Sequence, residues 1–147
     1  MRILIYTHEF PPLAAGAGMF SADLAIGLAS LGVEVHVVTP FWGPIKDWLS
    51  VNDTSLLRIH YMPLWKINEP KAALFFLLQL CLRYSFDFLI VTERGAQESI
   101  ATQFYPFPPY LAVIHGSEIL DYFGKKKPDL GIAKEAMAHF YSRARWR

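Results

Sequence analysis

Two glycines stand between the first apolar run of the chain and a helical pattern. Gly16 and Gly18 follow the run Ile3–Thr7 and open that pattern. Glycine lets a backbone come close to a ligand, and the free N–H groups and dipole at the start of a helix favour an anion such as phosphate. We interpret the pair as an approach site for a phosphate or a sugar, with turn geometry alone as the alternative.

The glycine spacing differs from that of the common nucleotide-binding motifs. The string that contains Gly16 and Gly18 has no third glycine where the dinucleotide fingerprint needs one, and no Walker lysine follows it. A nicotinamide-dependent oxidoreductase is therefore disfavoured.

Polar side chains with acid–base or hydrogen-bonding capacity follow two later apolar runs. Glu93 and Arg94 come directly after the fourth run, and His115 comes directly after the fifth. A histidine at the end of a strand can serve as a general base or a hydrogen-bond donor. A local ion pair between Glu93 and Arg94, and a purely structural histidine, are the alternatives.

Metal and disulfide chemistry have no support in the spacing of the candidate ligands. The single Cys81 excludes an internal disulfide and a cysteine zinc site. The histidines lack the spacing typical of metal ligands, so we expect no metal site. They are His8, His36, His60, His115 and His139.

The elements that must position these residues are short β-rich runs separated by helical segments. Most of the runs are continuously apolar, as in parallel strands covered on both faces. The pattern predicts an α/β fold, a Rossmann-like open parallel sheet with helices on both faces, which binds ligands at the carboxyl ends of its strands. The predicted strands are Ile3–Thr7, Glu34–Thr39, Leu57–Met62, Phe88–Thr92 and Tyr110–Ile114.

Three helices are predicted between the strands. The first has an apolar stripe of Phe20, Leu24, Leu28 and Leu31, with Ala22, Ala25 and Ala29 filling in, and ends at Gly32. The second, over 72–84, is apolar almost all round, so it should be buried, mostly against the sheet. The third runs from about Ala96 to Phe104. The connection over 40–54, which holds two tryptophans, is either a binding lid or a loop packed on the sheet edge.

Composition sets the class and the compartment. The 147 residues suffice for one domain, and 53% hydrophobic against 18% charged residues exclude a disordered chain. The apolar stretch over 72–82 would span only about half of a ~30 Å hydrocarbon core. With a lone cysteine and no secretory signal at the amino terminus, we expect a cytoplasmic protein.

A set of spaced residues resembles the opening of the GT-B-fold glycosyltransferases, of the retaining group one or family four type. The likeness covers about 1–120. It is carried by Phe10-Pro11-Pro12, Gly16, Leu24-Ala25, Leu28, Gly32, Glu34-Val35, Val37–Thr39, Asp87 and Pro109–Gly116.

The resemblance implies two Rossmann-like domains that face each other across a cleft, an amino-terminal one for the acceptor and a carboxyl-terminal one for the nucleotide-sugar donor. Residues 1–147 resemble the first domain, and we expect the chain to be cut short before that domain's last strand and to lack the donor-binding domain. The donor is a substrate, so no cofactor is implied. We expect no catalytic residue within this chain alone; the substrate-binding candidates are Gly16, Gly18, Glu93, Arg94 and His115.

The same resemblance sets the expected partners. They are the missing carboxyl-terminal domain or an equivalent chain, and an acceptor that is a glycan or a lipid-linked sugar acceptor. A basic surface is expected to add peripheral contact with the inner face of the membrane, with a solvated run of charges as the alternative. Exposed apolar surface is expected to give a homo-oligomer, and no nucleic-acid partner is expected. The alternative function is a non-catalytic binding or regulatory half that associates with a separate donor-binding chain. The basic residues are Lys125, Lys126, Lys127, Arg143, Arg145 and Arg147.

Overall fold

The computed structural model describes residues 1–13, 15–45, 55–64, 70–101, 108–115 and 134–143. Within them a five-stranded parallel sheet has the order β3-β2-β1-β4-β5. The strands are β1 (Arg2–Tyr6), β2 (Glu34–Pro40), β3 (Leu57–Met62), β4 (Phe88–Thr92) and β5 (Tyr110–Val113).

The predicted fold class is confirmed, and the predicted strands match the observed ones to within one residue at each end. Strand β1 lies at the centre, and the register aligns Ile3 with Val35 on β2 and with Phe88 on β4. Because β1, β2 and β4 are covered on both faces, nearly all of their residues are buried, which explains their continuous apolar character.

Helices cover both faces of the sheet. They are α1 (Gly16–Ser30), α2 (Pro70–Arg83), α3 (Arg94–Ala101) and α4 (Lys134–Arg143). Helix α1 packs with one face of the sheet in one apolar cluster. Residues of the other three helices share a second cluster with Leu4, Val38 and Val91 of the strands. No helix in these described ranges is both long enough and apolar enough to cross a bilayer.

Helix α2 is buried as predicted. Leu77 and Leu80 pack in the second cluster against the sheet. Of the six large apolar residues between 74 and 80, Phe75 alone is exposed. At the end of the helix Leu82 faces solvent.

Helix α1 buries the alanines of its predicted apolar face more deeply than the large side chains. The buried residues are Gly18, Ser21, Ala22, Ala25 and Ala29, and Leu24 and Leu28 pack against the same cluster. Phe20 and Leu31 are 42% and 79% exposed. Small side chains let the helix backbone lie close to the sheet, so the two ends of the predicted stripe stay at the margins.

A line of hydrogen bonds crosses β1, β2 and β3 toward their amino-terminal ends. Arg2 donates to Glu34, whose other carboxylate oxygen lies 3.0 Å from Nε2 of His36. Nε2 of His60 lies 2.9 Å from Nδ1 of His36. Because Arg2 and His36 hold the pKa of Glu34 at about 2, the carboxylate is charged and His36 Nε2 must be the donor. Burial lowers the pKa of His36 and favours the neutral ring, so its Nδ1 accepts a hydrogen bond from the Nε2–H of His60. We call Glu34, His36 and His60 the histidine relay.

Helix α4 is fixed to the sheet through buried polar groups. The hydroxyl of Tyr141 donates to Gln97 of α3 over 2.5 Å, and the Gln97 amide donates to the carbonyl of Val113 on β5 over 2.6 Å. Tyr110 of β5 donates to the carbonyl of Phe140. These bonds hold α3 to α4 and both helices to β5 at the edge of the sheet.

Candidate functional site

The site begins with three threonine and serine hydroxyls where β1 and β4 end. Ser21 of α1 lies 2.7 Å from Oγ1 of Thr92 and 3.5 Å from Oγ1 of Thr7, and all three residues are buried. The bonds hold the start of α1 over the carboxyl ends of β1 and β4. This is the edge at which open parallel sheets bind ligands.

Glu93 follows β4 and turns the backbone sharply. Its φ is +56°, in the left-handed region that residues other than glycine rarely adopt. The buried carboxylate accepts backbone N–H bonds from Gly95 (2.6 Å), Ala96 (2.7 Å) and His8 (3.0 Å). Glu93 therefore caps α3 and at the same time binds the loop that follows β1.

The helix begins two residues before the predicted start because of this cap. A glutamate side chain folded back onto the first free N–H groups satisfies donors that the helix itself leaves unpaired. Helix propensity and apolar periodicity predicted a start at Ala96, and neither of them contains information about a cap made by Glu93, the left-handed residue before the helix.

His8 is the partner of Glu93 that sequence reasoning missed. Its Nδ1 lies 3.8 Å from the Glu93 carboxylate, and its Nε2 lies 2.7 Å from the hydroxyl of Tyr6. Burial lowers the pKa of His8 to about 4, so the imidazole is neutral at pH 7. Burial also raises the pKa of Tyr6, so that the phenol stays protonated.

The carboxyl group of Glu93 is poised to gain or lose a proton near neutral pH. Burial raises its pKa to about 7, and the three backbone N–H groups oppose that effect because they stabilise the charged form. A carboxyl group with this pKa could act as a general acid or base. Its oxygens, however, already accept hydrogen bonds from the protein's own N–H groups.

Two glycines of this region are needed for close packing. A Cβ on Gly95 would lie 2.7 Å from Nδ1 of His8, and a Cβ on Gly18 would lie 3.1 Å from backbone atoms of Glu9 and Phe10. Gly18 is buried under the loop after β1. The absence of a side chain there serves the fit of helix and loop, and its approach to a ligand stays a prediction.

Gly16 has the opposite surroundings. It is the exposed first residue of α1, and a Cβ at this position would meet nothing within 4 Å. The backbone at the start of α1 is therefore open to a ligand, as the interpretation of the glycine pair requires. Binding at Gly16 stays a prediction.

His115 lies beyond β5 and is exposed. Its ring meets Phe20 of α1 edge to face, with ring centroids 5.2 Å apart. Phe20 is one turn from Gly16, so the contact brings the end of β5 beside the start of α1. The residues that follow, 116–118, lie outside the described part of the chain.

Arg94 forms its ion pair along α3. Its Nε lies 2.7 Å from the carboxylate of Glu98, one helical turn further on. The local pair with Glu93 that we considered from the sequence is not the one observed, because the left-handed turn directs the Glu93 carboxylate to N–H groups.

The tryptophan loop after β2 packs against the loop after β1 where it is described. Trp42 donates its indole N–H to the carbonyl of His8 over 2.7 Å, and Ile45 is buried. These contacts favour the packed alternative for 41–45; residues 46–54 lie outside the described ranges.

The five predicted residues thus fall into two groups. Gly18 and Glu93 lie in the packed interior of the edge, whereas Gly16, Arg94 and His115 are partly or fully exposed. The register could have pointed to His8: Tyr6 aligns with Val91, so His8 and Glu93 both lie two residues further along adjacent strands. Across the described ranges no three His, Cys, Asp or Glu side chains cluster in a way that could hold a metal ion.

Comparison with known proteins gives a partial match. No protein-family model matches the chain. Over 84 residues it is 38% identical to the alpha-monoglucosyldiacylglycerol synthase of Acholeplasma laidlawii, a stretch that covers 57% of this chain and 20% of the synthase. The chain thus corresponds to about a fifth of the length of that relative. The similarity to a glycosyltransferase supports a glycosyl transfer function in general.

Proposed function

We propose that the chain is the acceptor-side domain of a GT-B-type glycosyltransferase that moves a sugar from a nucleotide-sugar to a glycan or lipid-linked acceptor. The name of the Acholeplasma laidlawii relative describes a glucosylated diacylglycerol as its product, which favours the lipid-linked acceptor. The donor-binding surface would belong to a second domain or chain.

The observation that carries this proposal is the meeting of Gly16 and His115 at the carboxyl edge of the sheet. Phe20 joins the two positions, one an open helix start and the other an exposed imidazole. An open helix start suits an anionic or sugar group of the donor, and the imidazole can hydrogen-bond a hydroxyl.

Such a wall fits one half of a transfer site. In the reaction the bond from the anomeric carbon to the leaving phosphate oxygen breaks, a bond to the acceptor oxygen forms, and the proton of the acceptor hydroxyl passes to the leaving diphosphate. His115 would orient that hydroxyl or the transferred sugar, while charges of the donor-side domain meet the leaving diphosphate. Arg94, at the start of α3, would bind substrate as well.

A fusion of this chain to the donor-side part of the Acholeplasma laidlawii synthase tests the proposal. We expect sugar transfer by the fusion and none by residues 1–147 alone. His115→Ala should lower the transfer rate about tenfold, as for the loss of one hydrogen bond. Gly16→Val should lower it as well, and the variant should fold normally because the added side chain meets open space.

Matched controls exist within the chain. His139→Ala removes an exposed histidine of α4, and Gly27→Val adds a side chain to an open position of α1; both should leave transfer unchanged. If the fusion binds an acceptor but never transfers sugar, the alternative of a binding or regulatory half replaces the proposal. Transfer by the isolated chain would overturn the division into two halves.

We also propose that the protein is cytoplasmic and contacts the inner face of the membrane through the basic residues near its carboxyl end. We further propose that it self-associates. Arg143 is exposed at the end of α4, and the other basic residues of that group lie outside the described ranges. Binding to anionic vesicles that falls with salt would support the contact. Equal binding to neutral vesicles would contradict the membrane contact, and a monodisperse monomer would contradict the self-association.

A further inference from the structure

The backbone of His8, in the loop after β1, is held by hydrogen bonds on both of its polar groups. Its N–H donates to Glu93, and its carbonyl accepts from the indole of Trp42. The next residues, Glu9 and Phe10, lie against the backbone of Gly18. The position of the His8 backbone therefore sets the position of the start of α1.

The carboxylate of Glu93 has no room for a ligand. Its side chain is 12% exposed, and the donors from His8, Gly95 and Ala96 surround its two oxygens. With so little of the side chain exposed, the two oxygens are engaged with the protein and hardly accessible from solvent. This argues against the substrate-binding role that the sequence suggested for Glu93.

The backbone of Glu93 carries a further sign of constraint. A left-handed conformation is unfavourable for a residue with a side chain, and it persists where the surroundings fix it. Here three N–H bonds to the carboxylate stabilise the turn, which directs that carboxylate to α3 and to the loop at once.

We propose that Glu93 is a positioning residue, a latch whose carboxylate holds the loop of residues 8–13 to the start of α3 and thereby places the open end of α1. The inference rests on the proposed function in one respect, namely that the open end of α1 faces the donor. Glu93 acts through His8 and does not touch substrate.

Protonation of the carboxyl group opens this latch. Protonation removes the negative charge that strengthens all three N–H bonds, and the oxygen that takes the proton becomes a weaker acceptor. The titratable groups that face it are Tyr6 of β1 and His8 and Glu9 of the loop; α3 supplies N–H donors. The raised pKa of Glu93 is in accord with opening near neutral pH.

Amide NMR of the 147-residue chain tests the latch without any ligand. We expect the amide resonances of His8, Gly95 and Ala96 to shift with one common pH midpoint, and this titration to vanish in Glu93→Gln. Glu98→Gln, on the same helix but outside the latch, should leave the common titration in place.

Glu93→Asp separates the latch from a simple helix cap. The shorter carboxylate can still cap α3, since aspartate is a favoured cap, but it cannot also reach His8. Amide exchange at His8 should rise about tenfold or more, as for a lost charge-assisted bond, while Gly95 and Ala96 stay protected.

Two results would overturn the proposal. Unchanged protection of His8 in Glu93→Asp, or separate midpoints for the three amides, would show that no shared latch exists. If the amides behave as expected but Glu93→Asp leaves the KM for the nucleotide-sugar of an active fusion unchanged, the latch does not place the donor-facing end of α1. An inactive fusion bears on the proposed function and leaves the amide result intact.

Discussion

At the residue scale, two threonines near the carboxyl ends of β2 and β4 have different surroundings. Oγ1 of Thr92 is bonded to Ser21, whereas Oγ1 of Thr39 is buried and finds no partner within the described part of the chain. A buried hydroxyl without a hydrogen bond is a cost to stability, and a bonded one is a gain.

The two threonines should therefore respond oppositely to the same substitution. Thr39→Val keeps the shape and removes the unpaired hydroxyl, so the free energy of unfolding should be unchanged or rise by up to about 1 kcal/mol. Thr92→Val should lower it by about 1 kcal/mol. Urea unfolding of the pair of variants measures the difference, and a larger loss for Thr39→Val would mean that its hydroxyl has a partner after all.

Single residues also mark the limit of what the sequence could predict about the site. Glu93, Arg94 and His115 were found because they follow predicted strands. His8 follows a predicted strand too, but a buried histidine without metal spacing carries no signal of its own. Only the pairing of β1 with β4, which brings distant residues together, shows that His8 and Glu93 are neighbours.

At the element scale, the strands were predictable, and the packing of α1 was predictable in part. Continuous apolar runs with polar or proline ends leave little choice for a buried parallel strand. In α1 the predicted stripe holds both leucines and alanines, and periodicity alone cannot say which of them lies closest to the sheet. The close approach set by Gly18 and Ser21 places the alanines deepest and leaves Phe20 and Leu31 exposed.

Two glycines of α1 test that packing. Gly27→Ala adds a methyl group to open space and should raise the free energy of unfolding by about 0.5–1 kcal/mol, because alanine favours a helix. Gly18→Ala forces backbone atoms of Glu9 and Phe10 to move and should lower it by about 1–3 kcal/mol. Thermal unfolding of both variants gives the comparison; equal stabilisation by the two would show that the loop moves aside freely.

At the scale of the whole molecule, buried titratable groups give the stability a dependence on pH. Burial lowers the pKa of His8 and of His60 to about 4, and raises that of Glu93 to about 7. Below about pH 6.5 the unfolded chain binds more protons at the histidines than the folded one, so stability falls as the pH drops toward 4. Glu93 acts in the other direction, because its folded form holds a proton up to about pH 7.

The sum predicts a loss of stability in acid, because the two histidines outweigh the one carboxyl group, and little change in stability above about pH 7. His60→Gln removes one titrating group and can still donate to His36, so the acid slope should become shallower. Glu93→Gln should make the acid slope steeper, because it removes the group whose proton uptake opposes that of the histidines. Chemical unfolding at a series of pH values measures both slopes, and an acid slope unaffected by His60→Gln would place the titration outside the histidine relay.

The central position of β1 has a consequence for the order in which the chain can fold during synthesis. β1 is made first, and it can pair with β2 once residues near Val35 have left the ribosome, but its other neighbour begins at Phe88. At roughly 5–20 residues per second the nascent chain carries a half-covered central strand for several seconds. The contact of His8 with Glu93 forms later still, so the candidate site is among the last parts of the sheet edge to assemble on a translating ribosome.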